Sequence, residues 1–97
     1  MNYQINAALQ VLPKSDKTNT YDIIDKAIEV IKVSGLRYRV CPFETVLEGS
    51  YDEVMNIIKL VQLECFLAGA DEIISNIKLQ IRKSEDVSIE DKMKKYE

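Results

Sequence analysis

Residues 34–54 read SGLRYRVCPFETVLEGSYDEV and carry the clearest signals of secondary structure in the chain. Gly35 is typical of a helix end, because glycine readily adopts the left-handed backbone conformation that closes a helix. Two short segments rich in strand-forming residues follow, 36–41 and 43–47, and the proline between them predicts a β-hairpin. Residues 50–53 are typical of a capping box, in which a serine and a glutamate bond the free N–H groups at a helix start. The stretch therefore predicts the order helix, strand, strand, helix.

The chain before this stretch predicts one strand and one helix. Residues 3–12 alternate apolar and polar side chains, which is typical of a strand with one buried face. Pro13 is expected to end that strand, and Asn19 or Thr20 to cap the helix that follows. The helix is indicated by an apolar stripe at the i, i+3, i+4, i+7 spacing, formed by Ile24, Ala27, Ile28 and Ile31.

The chain after this stretch predicts a long helix, a fourth strand and a helical tail. Apolar residues at helical spacing run over 54–68, and alternation returns over 72–82. Residues 85–97 form the tail, with a helix start at Ser88. The order β-α-β-β-α-β predicts an α+β ferredoxin-like sandwich, in which two helices cover one face of a four-stranded antiparallel sheet, with a short C-terminal helix added. Residues 1–97 are expected to form a single domain.

The second face of the predicted sheet is left open by the helices. Its side chains are mainly polar, and the set consists of Gln4, Asn6, Gln10, Asn76, Lys78 and Gln80. Ala8, Leu12 and Ile74 lie among them and give the face a mixed character. A mixed face of this kind is typical of an interface between copies of one chain. We therefore expect either a homodimer or a homotetramer.

Composition disfavours several classes of partner and site. The chain carries 13 basic and 16 acidic residues, a net charge of −3, which repels phosphate backbones and anionic lipid surfaces. It has no histidine and its 3 glycines are isolated, so neither an ordinary catalytic pair nor a phosphate-binding loop is indicated. No metal or cofactor site is indicated either, because Cys41 and Cys65 lie far apart in the chain. We expect a protein that is not an enzyme and has no nucleic-acid or membrane partner.

The cysteines and the first residues bear on the cellular location. Cys65 falls in a helical stripe, which indicates core packing. Cys41 is either a small residue at a strand end or a reactive thiol beside Arg39. Residues 1–6 lack the basic and apolar regions of a signal peptide. We therefore expect a cytoplasmic protein with reduced thiols.

Glu44 and Glu48 are the first candidates for a binding site. Period two places both carboxylates on one face of the predicted strand. They either form a solvated edge or line a polar pocket, in which a carboxylate pairs with a cationic or amine-bearing small molecule.

Residues 42–49 and 51–55, PFETVLEG and YDEVM, resemble the Pro-x-x-Thr-x-x-Glu-Gly motif and following helix of the thiamine-binding (YkoF-like) proteins. Thr45 and Glu48 match that motif directly, so the resemblance implies that both contact the ligand. Members of the family are thought to bind thiamine or its hydroxymethylpyrimidine moiety rather than to transform it.

The resemblance extends over nearly the whole chain. Pro13, residues 34–38 and the tail segment 87–93 are also similar to the family pattern. It implies a ferredoxin-like fold and assembly as dimers and tetramers by pairing and stacking of sheets. Glu44 departs from the pattern, since many members have glycine there, and Lys14 stands where many have glycine after the first-strand proline. A pocket that differs from the usual one is therefore expected.

The chemistry of an aminopyrimidine suggests further contacts. Its ring nitrogens and exocyclic amine pair with a carboxylate and with amides such as Asn6 and Asn76. Its flat ring can stack on Tyr3, Tyr38 or Phe43. The predicted ligand-binding residues are Thr45, Glu48, Asn6 and Asn76.

Two functions follow from these observations. The first is a homo-oligomeric protein that binds thiamine or its pyrimidine moiety without turnover, for carriage or sequestration. The alternative is a structural or regulatory interaction module whose open sheet face associates with copies of itself or with another protein. In that case no small ligand is bound, and Glu44 and Glu48 are charges at the rim of the interface.

Overall fold

The computed structural model describes residues 2–97. Its elements are β1 (Ile5–Lys14), α1 (Thr20–Lys32), β2 (Arg37–Val40), β3 (Thr45–Gly49), α2 (Tyr51–Leu67), β4 (Glu72–Gln80) and α3 (Ile89–Met93), followed by a 3-10 turn at Lys94–Tyr96. The strands form one antiparallel sheet in the order β2-β3-β1-β4, with α1 and α2 packed together on one face. The predicted ferredoxin-like α+β fold with a short C-terminal helix is confirmed.

The helices begin and end where local signals predict. Asn19 caps α1, its side chain accepting a hydrogen bond from an N–H of the first turn at 2.8 Å. The capping box of α2 is formed, because Ser50 Oγ accepts from the Glu53 N–H at 3.2 Å and Glu53 Oε1 accepts from the Ser50 N–H at 3.4 Å. Gly69 follows α2 with a φ of 117°, a conformation that favours glycine. Within residues 2–97, no helix has both the length and the apolar character that crossing a membrane requires.

The core lies between the helices and the inner face of the sheet. Its fully buried large side chains include Ile5, Ile23, Ile31, Leu47, Val54 and Val61. Cys65 is buried among them, as predicted. Burial, with a smaller contribution from the neighbouring Glu64 carboxylate, raises the pKa of the Cys65 thiol. This thiol is therefore a packing group.

The buried stripe of α1 differs from the predicted one. Ile23, Ala27 and Ile31 are buried, whereas Ile24 and Ile28 are only half-buried. Consecutive residues are about 100° apart around a helix, so Ile24 and Ile28 turn away from the centre of the core. They face the end of the sheet that β3 does not reach, where they line a cavity.

The prediction that Pro13 ends the first strand was wrong. β1 continues to Lys14 and pairs with β4 along that length, whereas β3 pairs with β1 only as far as Leu9. Beyond Leu9, one side of β1 therefore has no strand beside it within residues 2–97, and a proline is tolerated where its missing N–H faces such a side. β4 is also shorter than predicted: it ends at Gln80, whereas the alternating segment was expected to run to residue 82.

The hairpin is formed, but its strands are shifted from the predicted segments 36–41 and 43–47. β2 is shorter, and β3 lies two residues later along the chain. The turn takes up Phe43, which is 80% exposed, and closes where the Cys41 N–H donates to the Glu44 carbonyl at 2.9 Å. Apolar character alone therefore misplaced the start of β3.

The outer face of the sheet, opposite the helices, is not open over its whole length as expected. Residues 86–97 cross it, with Val87 fully buried and its N–H donating to the Gln4 carbonyl at 2.9 Å. Two ion pairs tie this tail to β2, Arg37–Glu90 and Arg39–Glu97. The tail leaves uncovered the half of the outer face that lies toward the β2–β3 turn.

Candidate ligand-binding site

Unequal strand lengths leave a gap in the sheet. β1 has 10 residues and β3 has 5, and their pairing ends at Leu9 and Thr45. Past this point β1 continues to pair with β4. We call this gap the notch; it lies between residues 10–12 of β1 and residues 41–44 of the hairpin turn.

A cavity of about 230 Å³ opens on the helix side of the notch. Its wall is mainly apolar and includes Leu9, Val11, Ile24, Ile28, Val40 and Val61. Glu44 and Cys41, from the turn, also line it. Such a mainly apolar wall with a few polar groups is typical of small-molecule sites.

Thr45 contributes a polar side chain to this cavity. Because its register partner on β1 is Leu9, the side chain lies on the helix side of the sheet. Thr45 is 8% exposed and lines the cavity. Its hydroxyl can donate to, or accept from, a polar atom placed inside the cavity.

A polar groove lies at the same notch on the outer face. Asn76 lines it, with Nδ2 donating to Gln10 Oε1 at 3.1 Å, and Lys78 places an ammonium group beside them. Gln10, Phe43 and Glu44 line both the groove and the cavity. The two spaces therefore meet at the notch, with a carboxylate and an exposed aromatic ring at their border.

Asn6 and Glu48 meet elsewhere, at the end of the outer face that the tail covers. Asn6 Nδ2 donates to Glu48 Oε1 at 3.1 Å, and the Ile89 N–H donates to the same oxygen at 2.6 Å. Arg37 Nε lies 3.7 Å from Glu48 Oε2. Both side chains are buried, and Asn6 Oδ1 has no hydrogen-bond partner within residues 2–97. The carboxylate thus holds the first turn of α3 against the sheet.

The four residues predicted to bind the ligand therefore occupy three places. Thr45 faces the cavity, Asn76 lies in the groove, and Asn6 and Glu48 lie together under the tail. Thr45 and Glu48 face opposite sides of the sheet, because they are separated by an odd number of positions in one strand. That all four contact the ligand stays a prediction.

The sequence reasoning missed the notch and the Val11 and Gln10 groups that line it. One signal was present, because the alternation over residues 3–12 is twice as long as the segment 43–47 that pairs beside it. A long strand beside a short one must leave part of its edge unpaired.

Comparison with known proteins gives the family. The family model described as thiamine-binding protein matches residues 7–97. The UPF0045 protein of Clostridium perfringens is 36% identical over 91 residues, which are 94% of this chain and 95% of the relative. A domain of unknown function from Bacillus cereus has a TM-score of 0.95 and 40% identity, covering 98% of this chain and 91% of that one.

A Thermotoga maritima protein provisionally assigned to thiamine biosynthesis or salvage has a TM-score of 0.87 and 26% identity, covering 97% of this chain and 99% of its own. The likeness of fold thus extends over nearly the whole of each compared chain. Because the family match runs over residues 7–97, this chain belongs to the thiamine-binding protein family.

Proposed function

We propose that this chain binds thiamine or its hydroxymethylpyrimidine moiety at the notch and does not transform it. Membership of the thiamine-binding family supports a ligand of this class. The observation that carries the proposal is Thr45, a threonine only 8% exposed that lines an otherwise mainly apolar cavity. A polar ligand atom that forms a hydrogen bond with the Thr45 hydroxyl gains the net free energy of that bond.

The sizes of the two spaces suit a ligand with two parts. The cavity of about 230 Å³ is smaller than sites for drug-sized ligands, which measure roughly 300–1,000 Å³. It therefore suits one flat ring, such as the pyrimidine, rather than the whole of thiamine. The cationic thiazolium then lies toward Glu44 and the exposed ring of Phe43, where a carboxylate and an aromatic face both favour positive charge. Asn76 supplies an amide on the groove side.

Thr45→Val is expected to weaken the binding of hydroxymethylpyrimidine about tenfold, the equivalent of one net hydrogen bond. Thermal-shift series and titration calorimetry measure the effect with thiamine, hydroxymethylpyrimidine, thiamine phosphates and unrelated amines. On the unmodified protein, a ligand at about a hundred times its Kd adds roughly 2.7 kcal/mol to the free energy of unfolding. Thr45→Ser keeps the hydroxyl and is the matched control.

Two results would count against this proposal. If none of the thiamine-related compounds stabilises the unmodified protein at millimolar concentration, the binding function is wrong and the interaction module is favoured. If Thr45→Val and Thr45→Ser bind the pyrimidine equally well, the ligand does not use this hydroxyl.

Self-association is the second part of the proposal. Leu12 and Ile74 are register partners on the uncovered half of the outer face, 43% and 44% exposed respectively. Exposed apolar residues paired in this way favour an interface between copies of the chain.

Ile74→Lys is expected to convert the oligomer to monomers, because it places a charge at the centre of that interface. Size-exclusion chromatography with light scattering measures the mass in solution. Val33→Lys, at an exposed apolar residue after α1, is the matched control and should leave the mass unchanged. A monomeric unmodified protein, or an Ile74→Lys variant that keeps the original mass, would show that this face does not mediate assembly.

A further inference from the structure

The hairpin fixes the direction of every peptide group in this part of the sheet. The Cys41 N–H donates to the Glu44 carbonyl, so Glu44 directs its peptide groups toward β2. Successive residues of a strand direct their N–H and C=O groups to alternate sides, so Thr45 directs its own toward β1, where its partner is Leu9. The peptide groups of Leu9 therefore face β3. Two residues on, those of Val11 face the same side.

The N–H and C=O groups of Val11 face the notch. Pairing between β1 and β3 ends at Leu9, and within residues 2–97 no main-chain hydrogen bond from the turn reaches Val11. Val11 is half-buried and lines the cavity. Its N–H and C=O thus form a free donor and a free acceptor side by side, at the edge of an otherwise mainly apolar space. Such groups are nearly always paired in folded proteins, with protein, water or ligand.

We infer that the main chain of Val11 binds the hydrogen-bonding edge of a planar heterocycle, in the way that a strand partner would. The complementary edge is a ring nitrogen beside an exocyclic amine: the nitrogen accepts from the Val11 N–H and the amine donates to the Val11 C=O. This inference rests on the proposed function and names the edge by which the pyrimidine is selected. Thr45, across the same gap, is then free to bond a different substituent of the ring.

The same edge suits a small molecule better than an added peptide strand. A strand that pairs with this side of β1 meets Val11 and then Pro13, which has no N–H to donate. Only one complete donor–acceptor pair is therefore available, which is enough for one heterocycle and too little for a ladder. The turn at residues 41–44 lies opposite this edge of β1 and limits the length of the gap.

The test compares hydroxymethylpyrimidine with an analogue in which the ring nitrogen beside the amine is replaced by C–H. The unmodified protein is expected to prefer hydroxymethylpyrimidine by about tenfold, the usual net value of one hydrogen bond. Val11→Pro removes the N–H and keeps the C=O, so this variant is expected to bind both compounds with similar, weaker affinity. Calorimetry gives the four dissociation constants.

Val11→Ala is the matched control, because it shortens the side chain and keeps the N–H, and it should preserve the preference. If Val11→Pro does not fold, a semisynthetic chain with an ester in place of the Val11 amide removes the same N–H without a ring. A preference that persists without the N–H, or its absence in the unmodified protein, overturns the role of Val11 while leaving the proposed function intact. If hydroxymethylpyrimidine does not bind the unmodified protein at all, the proposed function fails and the inference fails with it.

Discussion

Leu47→Ala is expected to lower the free energy of unfolding by about 2–5 kcal/mol, the range for truncating a fully buried leucine. Leu47 has no exposed surface and lies in the middle of β3, where its register partner on β1 is Ala7. Because the partner is small, Leu47 fills the space between the two strands and the helices by itself. The sheet backbone on both sides prevents the site from collapsing around the smaller residue, so a cavity remains. Urea denaturation followed by circular dichroism measures the loss.

Val46→Ala is the control for this variant. Val46 is the neighbour of Leu47 but lies on the outer face, where it is half-buried and its register partner is Ala8. Its truncation should cost about 1 kcal/mol, as is usual for a site away from the core. Equal losses in the two variants would mean that the faces of β3 are assigned wrongly, and with them the placement of Thr45 and Glu48.

The faces of β3 could not be derived from the sequence, although the existence of the hairpin could. Residues 45–47 are all compatible with burial and do not alternate clearly between polar and apolar character, so the period that identified β1 has no counterpart here. The start of β3 was misplaced because Phe43 is apolar, whereas in the structure it forms the exposed tip of the turn. The helices were predicted more closely, since their caps at Asn19 and Ser50 are interactions between residues a few positions apart.

The candidate site was predictable only in part for the same reason. Thr45 and Glu48 share a motif, and a motif does not tell which way each side chain points once a strand is formed. The helix start at Ser88 was recognised from its local sequence. Where that helix docks depends on contacts such as Ile89 to Glu48, which are far apart in the chain and leave no periodic signal.

Glu48→Ala is expected to loosen the end of the tail and to lower the free energy of unfolding by about 1–3 kcal/mol, because it removes the carboxylate oxygen that accepts from two donors. These donors are Asn6 Nδ2 and the Ile89 N–H, both at the junction between the sheet and the tail. Asn6 Nδ2 keeps the Ile5 and Val87 carbonyls as acceptors, at 3.1 and 3.4 Å, so the Ile89 N–H is the donor left unpaired. Val87 stays buried and bonded to Gln4, so the detachment should begin at α3 and affect the residues after it, where the remaining contacts include exposed ion pairs that are worth little individually. Hydrogen exchange at the Ile89 amide and limited trypsin digestion at Lys92 report the detachment directly.

Glu44→Gln is the matched control, since Glu44 lies at the notch and does not contact the tail. It should leave both the exchange rate at Ile89 and the trypsin pattern unchanged. If Glu48→Ala gives the same exchange and digestion as the unmodified protein, the carboxylate does not hold the tail. Denaturation of the two variants under identical conditions then separates a local effect on the tail from a general loss of stability.

Glu48→Gln separates the two roles that this residue can have. The glutamine keeps one oxygen as an acceptor for the donors under the tail, so the tail should stay docked at a cost of about 1 kcal/mol. It removes the negative charge, so a cationic ligand that contacts Glu48 should bind more weakly by roughly 1–3 kcal/mol. Thiamine affinity measured on this variant, with the Ile89 amide still protected, therefore reports ligand contact alone. Unchanged affinity would assign Glu48 to the tail, where its Oε1 accepts from Asn6 and Ile89, and would leave the ligand to the notch.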